Sequence, residues 1–241
     1  GRVLALAVAP PAGARVLDVG AGTGAVARAL REFVGPDALV VVADASATML
    51  YAAGRTGLHD AVVAMLPELP FSGACFDAVT SAFVMTHVDD ADAAALEMRR
   101  VLRPGGSIGL SAWYPADDDA AREWSRMIRT FVDAARVEAA VRATLPGDAR
   151  FAAAGSLAAL LQDAGFVSIN ASDHTVECAM SVGEYVESRS VCATGRALRA
   201  MLAPADWDRL RESMLISLGQ RFPDGVRFAR AFHTVTGVKP R

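Results

Sequence analysis

The chain has 241 residues, a formal net charge of −3 and 53% hydrophobic residues. That length suits one well-cored α/β domain, and that composition excludes a disordered chain. The acidic balance lacks the basic footprint of a nucleic-acid binder, and no apolar run reaches the roughly 18 residues of a membrane span.

The cysteines, Cys75, Cys178 and Cys192, are far apart, odd in number and without a CxxC pair. Neither a disulfide framework nor a zinc cluster is expected, and a reducing cytoplasm fits. At the start, Arg2 precedes apolar residues as in a signal peptide, but Pro10-Pro11 breaks the stretch just before the first motif. A short helix ended by the prolines is the better reading. The sequence does not begin with Met, which leaves a preceding segment open.

Residues 15–19, Arg-Val-Leu-Asp-Val, read as a short buried strand, and Gly20-Ala21-Gly22-Thr23-Gly24 as a tight loop. Ala25 to Val34 has helical spacing of apolar residues and stops at Gly35-Pro36. The run 39–43 suits a strand buried on both faces, and Ser46 is an N-cap for the next helix. Strands are expected at Ala61–Met65, Phe76–Ser81 and Ser107–Trp113, with a helix over Ala91–Leu102 ended by Pro104-Gly105-Gly106. This alternation predicts an α/β fold with a parallel sheet. After Trp113 the rhythm breaks. Two helical stretches, about 115–150 and 180–225, read as cap insertions within a single domain. A helix ends at Gly165, strands follow near 167–176 and 228–238, and Pro204 interrupts the second helical stretch.

A glycine loop between a buried strand and a helix offers free N–H groups and close backbone approach. Gly20-x-Gly22-x-x-Ala25 also satisfies the dinucleotide pattern, with Asp44 20 residues past Gly24 to grip ribose hydroxyls. Alone, the loop fits NAD nearly as well as any other nucleotide. Asp18, two residues before Gly20, argues against a pyrophosphate above the loop by like-charge repulsion. It suits a ligand with a cationic amino group.

Val16-Leu17-Asp18-Val19-Gly20-Ala21-Gly22-Thr23-Gly24 resembles motif I of class I S-adenosylmethionine (SAM)-dependent methyltransferases. Val41-Val42-Ala43-Asp44 resembles the acidic end of their second strand. Leu69-Pro70-Phe71, Phe76-Asp77-Ala78-Val79 and Arg100-Val101-Leu102-Arg103-Pro104-Gly105-Gly106 are similar to blocks of the ubiquinone/menaquinone-biosynthesis subgroup. Together the blocks cover residues 15–113 in order.

The resemblance implies a Rossmann-like, seven-stranded, mostly parallel sheet with its last strand antiparallel. It implies that Gly20, Gly22 and Gly24 approach the methionine part of SAM and that Asp18 helps hold its amino group. Asp44 would accept from both ribose hydroxyls, with Ala45 beside it, and Met49 would pack near the adenine. Met65 and Leu66 stand where relatives often have an acid and a small residue, so adenine would be held by apolar contact and backbone. Ser81 completes the donor site from the fourth strand. The product would be S-adenosylhomocysteine.

His87 follows the fourth strand and is a candidate base; the competing reading is a histidine that orders the loop. Trp113, Tyr114 and Tyr185 are candidate acceptor-pocket walls, each more readily read as core. Asp77 reads as structural. Asp89-Asp90 read as helix cap rather than metal ligands, and no metal is expected.

The function expected is methyl transfer to a small, partly hydrophobic molecule by in-line displacement. A SAM-binding protein without methyl transfer, a cyclase or binding module, stays open, as does a NAD-dependent oxidoreductase. No Tyr-x-x-x-Lys pair supports the last; Lys239 is the one lysine. A homodimer is left open.

Overall fold

The computed structural model describes residues 1–153 and 155–241. In chain order the first elements are α1 (Arg2–Val8), β1 (Arg15–Val19), α2 (Ala25–Val34), β2 (Leu39–Asp44), α3 (Ala47–Gly54), β3 (Ala61–Val63), β4 (Phe76–Ala82), α4 (Ala91–Val101) and β5 (Leu102–Trp113). There follow α5 (Asp119–Ile128), α6 (Ala134–Thr144), α7 (Asp148–Phe151), α8 (Ser156–Asp163), β6 (Val167–Met180), α9 (Val182–Val191), α10 (Ala193–Met201), α11 (Pro204–Arg221) and β7 (Val226–Val238).

The chain divides into two compact units. The sheet unit comprises residues 1–113, 149–174 and 232–241; the helical unit comprises 114–148 and 175–231. The division falls inside β6 and β7.

The seven strands lie in the order β3-β2-β1-β4-β5-β7-β6. β1 runs parallel to β2 and β4, and β4 parallel to β5. β7 runs antiparallel to β5, pairing Trp113 with Phe232. A dinucleotide-binding sheet places its sixth strand beside the fifth; here β7 lies between β5 and β6. The mostly parallel sheet expected from the βα rhythm is present, with the reversed strand that the resemblance implied.

Alternation along the strands divides the sheet unit's core in two. Val16, Val40, Val42 and Ala78 pack with α1, α2 and α3. Leu17, Val19, Val41, Ala43 and Val79 pack with α4 and α8. The apolar stripe of α2 explains its seat: Val26, Ala29, Leu30 and Val34 are buried. Truncating the fully buried Leu30 to Ala would leave a cavity costing about 2–5 kcal/mol.

Several boundaries differ from the sequence expectation. β3 stops at Val63. α4 passes into β5 at Leu102 without a loop, so Pro104-Gly105-Gly106 lies within the strand segment instead of ending the helix. β6 extends to Met180. Pro204 begins α11 rather than interrupting a helix, since a proline at the first helical position loses no needed hydrogen bond.

The helical unit has its own core, with Trp124, Tyr185, Leu198, Leu210 and Leu218 at its centre. Among the described residues no helix is long and apolar enough to cross a membrane.

Candidate functional site

The glycine loop is laid against the end of β2. Gly20 and Ala21 donate to the carbonyl of Ala43 at 2.7 and 3.1 Å. Gly22 donates to Asp44 Oδ2 at 2.8 Å, and Ser46 donates to Asp44 Oδ1 at 2.8 Å. Asp44 thus joins the loop to the start of α3, whose N-cap Ser46 accepts from Met49. Its carboxylate stays partly exposed, and each oxygen has a lone pair beyond the one it uses.

The three glycines have different reasons to be glycine. All have positive φ: 66° at Gly20, 56° at Gly22 and 85° at Gly24. A Cβ on Gly20 would stand 2.2 Å from Val84 Cγ2, and one on Gly24 2.2 Å from Leu58 Cδ1. A Cβ on Gly22 would meet nothing within 4 Å. The protein's own packing fills the space at two positions. Only Gly22 opens onto free space, with its neighbour Asp44 at the rim.

Asp18 is 1% exposed. Alternation and register place it beside Thr80 on the α2 side of the sheet. Thr80 Oγ1 donates to Asp18 Oδ1 at 2.8 Å, and the Ala27 N–H donates to Oδ2 at 3.0 Å. Burial pushes its carboxyl from 3.8 up to about 7, while these two donors pull it down. Asp18 therefore fastens β1, β4 and α2 together beneath the loop.

The remaining donor-site candidates fall at the carboxyl ends of the strands. Ala45 and Met49 are exposed around the end of β2. Ala64 donates to the carbonyl of Asp44 at 3.1 Å, which brings exposed Met65 alongside; Leu66 is buried. Ser81 is fully buried and its hydroxyl donates to the carbonyl of Val19 at 3.0 Å.

His87 ends a 3-10 turn, Met85–His87, after β4. Its side chain is exposed and its N–H donates to the carbonyl of Val84. Asp90 caps α4 by accepting from Ala93. Asp77 binds Arg103 at 2.6 Å and accepts the N–H of Arg15.

An aromatic cluster stands at the end of β4 and β5. Phe83 stacks on Trp113 with ring centroids 4.2 Å apart and planes 9° apart, and Phe232 meets both rings edge-on. Phe83 has φ 61°, a conformation uncommon for a bulky residue and concentrated at functional positions. Its neighbour Val84 is the residue that fills the space at Gly20. Trp113 is 39% exposed. Phe83, Val84 and Phe232 were not singled out from the sequence; only the aromatic character of the first and last hinted at them. Tyr114 falls in the helical unit, its N–H donating to the carbonyl of Ala231. Tyr185 is 2% exposed in that unit's core, with Phe228 edge-on at 5.6 Å.

Residues 17–110 match the family model of the methyltransferase domain. The ubiquinone/menaquinone biosynthesis C-methyltransferase UbiE of Hahella chejuensis is 44% identical over 105 residues, 40% of this chain and 42% of that protein. The chain thus spans less than half the length of that curated relative. Among solved structures, the YcgJ protein of Bacillus subtilis superposes with a TM-score of 0.59 at 19% identity, covering 99% of this chain and 97% of that one. The phosphoethanolamine N-methyltransferase 2 of Haemonchus contortus, solved with phosphomonomethylethanolamine and S-adenosylhomocysteine, gives 0.55 at 19% identity, covering 99% of this chain and 52% of that one. These two share the fold.

Proposed function

Because residues 17–110 match the methyltransferase-domain model, we propose that the chain transfers the methyl group of SAM to a small, partly hydrophobic acceptor. The observation that carries this reading is the open space above Gly22, rimmed by Asp44 and backed by a buried strand. A ligand's amino-acid and ribose groups fit a loop that offers close backbone approach and a carboxylate with spare lone pairs.

SAM supplies an already activated sulfonium methyl. What the chain must do is bind, orient and exclude water. Asp44 would accept hydrogen bonds from the ribose hydroxyls while keeping Gly22 in place. Met49 and Met65 provide apolar cover for the adenine. Asp18 acts from below, by holding the end of β1, Thr80 and the start of α2 together beneath the loop. With SAM bound, the chain would need to align the acceptor's nucleophilic atom behind the methyl group for in-line transfer. Alignment alone is worth roughly 7–11 kcal/mol. His87, exposed beyond β4, takes the proton where the acceptor must lose one.

The match to C-methyltransferases covers the donor segment, so the acceptor assignment rests on the aromatic cluster. Trp113 and Phe83 present a flat apolar wall one residue from the loop's packing partner Val84. Tyr185 is left out of that wall because its side chain is buried. Three free cysteines favour a reducing cytoplasm.

The test is product analysis with SAM and a panel of small hydrophobic acceptors. The reading expects S-adenosylhomocysteine and methylated acceptor in equal amounts. An acceptor converted with SAM bound and no S-adenosylhomocysteine released would instead make the chain a cyclase.

A further inference from the structure

The helical unit contains a crevice of about 160 Å³ among α5, α6, α9 and α10. Trp124, Ile128 and Val137 give it apolar walls and belong to that unit's core. Trp124 is 1% exposed, yet its indole N–H has no hydrogen-bond partner among the described residues. An indole can only donate, so the group missing is an acceptor.

A second donor is in the same condition. Arg189 also lines the crevice, and its Nε is buried without a partner among the described residues. Its guanidinium carbon lies 5.8 Å from the Trp124 ring centroid, within cation–π range. The hydroxyls of Ser125 and Thr194 add adaptable polarity, while Glu138 and Arg129 on the lining oppose each other in charge.

The chemistry is therefore one-sided. Two buried donors, one on a permanent cation, belong to residues that line the crevice together with its apolar walls. A guanidinium fork matches a carboxylate, and an apolar cavity of roughly 150 Å³ is large enough for benzene. We propose that this crevice binds a small organic carboxylate with an apolar body, of about the size of benzoate. The carboxylate lies at Arg189 and the Trp124 N–H, and the body lies against Ile128 and Val137. The site does not depend on the methyl-transfer reading.

The experiment is a benzoate titration of the full chain followed through its tryptophan indole N–H signals by NMR. The chain has three tryptophans, and Trp124→Phe assigns the relevant signal. Benzoate should move the Trp124 signal saturably and leave that of Trp113 in place, while benzyl alcohol, equal in shape but uncharged, should not. Arg189→Gln should weaken benzoate roughly ten-fold or more with an unchanged melting temperature, and Arg189→Lys should retain part of the affinity. An unmoved Trp124 signal, equal binding of benzyl alcohol, or full affinity in a folded Arg189→Gln chain would each overturn the proposal. Should Arg189→Gln unfold, the comparison of benzoate with benzyl alcohol on the unaltered chain decides it.

Discussion

Asp18 Oδ2 accepts the backbone N–H of Ala27 at 3.0 Å, so an acid on β1 caps helix α2 from outside the helix. The helix's own N-cap, Gly24, has no side chain to do so. Ala27 is the third residue of α2, one of the amides left without an intrahelical partner. One carboxylate thus replaces a local cap while also receiving Thr80.

That arrangement has a pH signature. Burial raises the Asp18 carboxyl from 3.8 to about 7. A raised value means that the fold favours the protonated form relative to the unfolded chain. The stabilisation is full below pH about 4 and is lost as pH rises toward about 7, a fall in unfolding free energy on the order of a few kcal/mol. Urea denaturation across that window should show the decline, and Asp18→Asn should flatten it. An unchanged slope in the variant would remove Asp18 as its source.

The glycines make a second test. Gly20→Ala should destabilise the chain, because the new Cβ collides with Val84. Val84→Ala should relieve part of that loss, making the pair non-additive in a double-mutant cycle. Gly22→Ala meets no atom, so its stability cost is the left-handed strain of about 1–2 kcal/mol, and its larger effect should be on SAM affinity. Additive Gly20 and Val84 effects would contradict the packing account.

The parallel sheet and the donor loop were legible in the sequence because both rest on local patterns. The apolar run from Leu39 to Ala43 and the capping Ser46 carry their meaning within a few residues. The roles of Thr80, Val84 and Leu58 were not legible. Thr80 meets Asp18 across 62 positions of sequence, through a register that only the assembled sheet sets. The same holds for the glycines: a motif shows that three are needed, but not that two serve packing and one faces free space. Phe83 and Phe232 come together only because β7 reverses against β5.

Asp44 should be the residue to which cofactor affinity is most sensitive. Asp44→Ala removes the acceptor for two backbone amides, Gly22 and Ser46, as well as for the ribose. Hydrogen bonds to a charged acceptor contribute about 1.5–3 kcal/mol each. Calorimetric SAM affinity should fall roughly ten- to a thousand-fold in a chain that still melts cooperatively. Unchanged affinity would move the ribose site elsewhere.

The helical unit should respond to acid in the opposite sense. The Arg126 guanidinium, then the Ser217 hydroxyl, hold the Glu123 carboxyl down from 4.5 to about 2. A lowered value gives stability that is present above about 4.5 and lost as pH falls toward about 2. Glu123→Gln should abolish that acid-side loss in thermal melts between those limits. An identical acid profile in the variant would show that the pair contributes nothing measurable.

The open space over Gly22 is proposed as the SAM site. Titration calorimetry of the full chain with SAM and, in parallel, with NAD tests it most directly. The account predicts saturable binding of SAM at one site per chain, lost in Asp44→Ala, and no binding of NAD; binding of NAD without binding of SAM would contradict it.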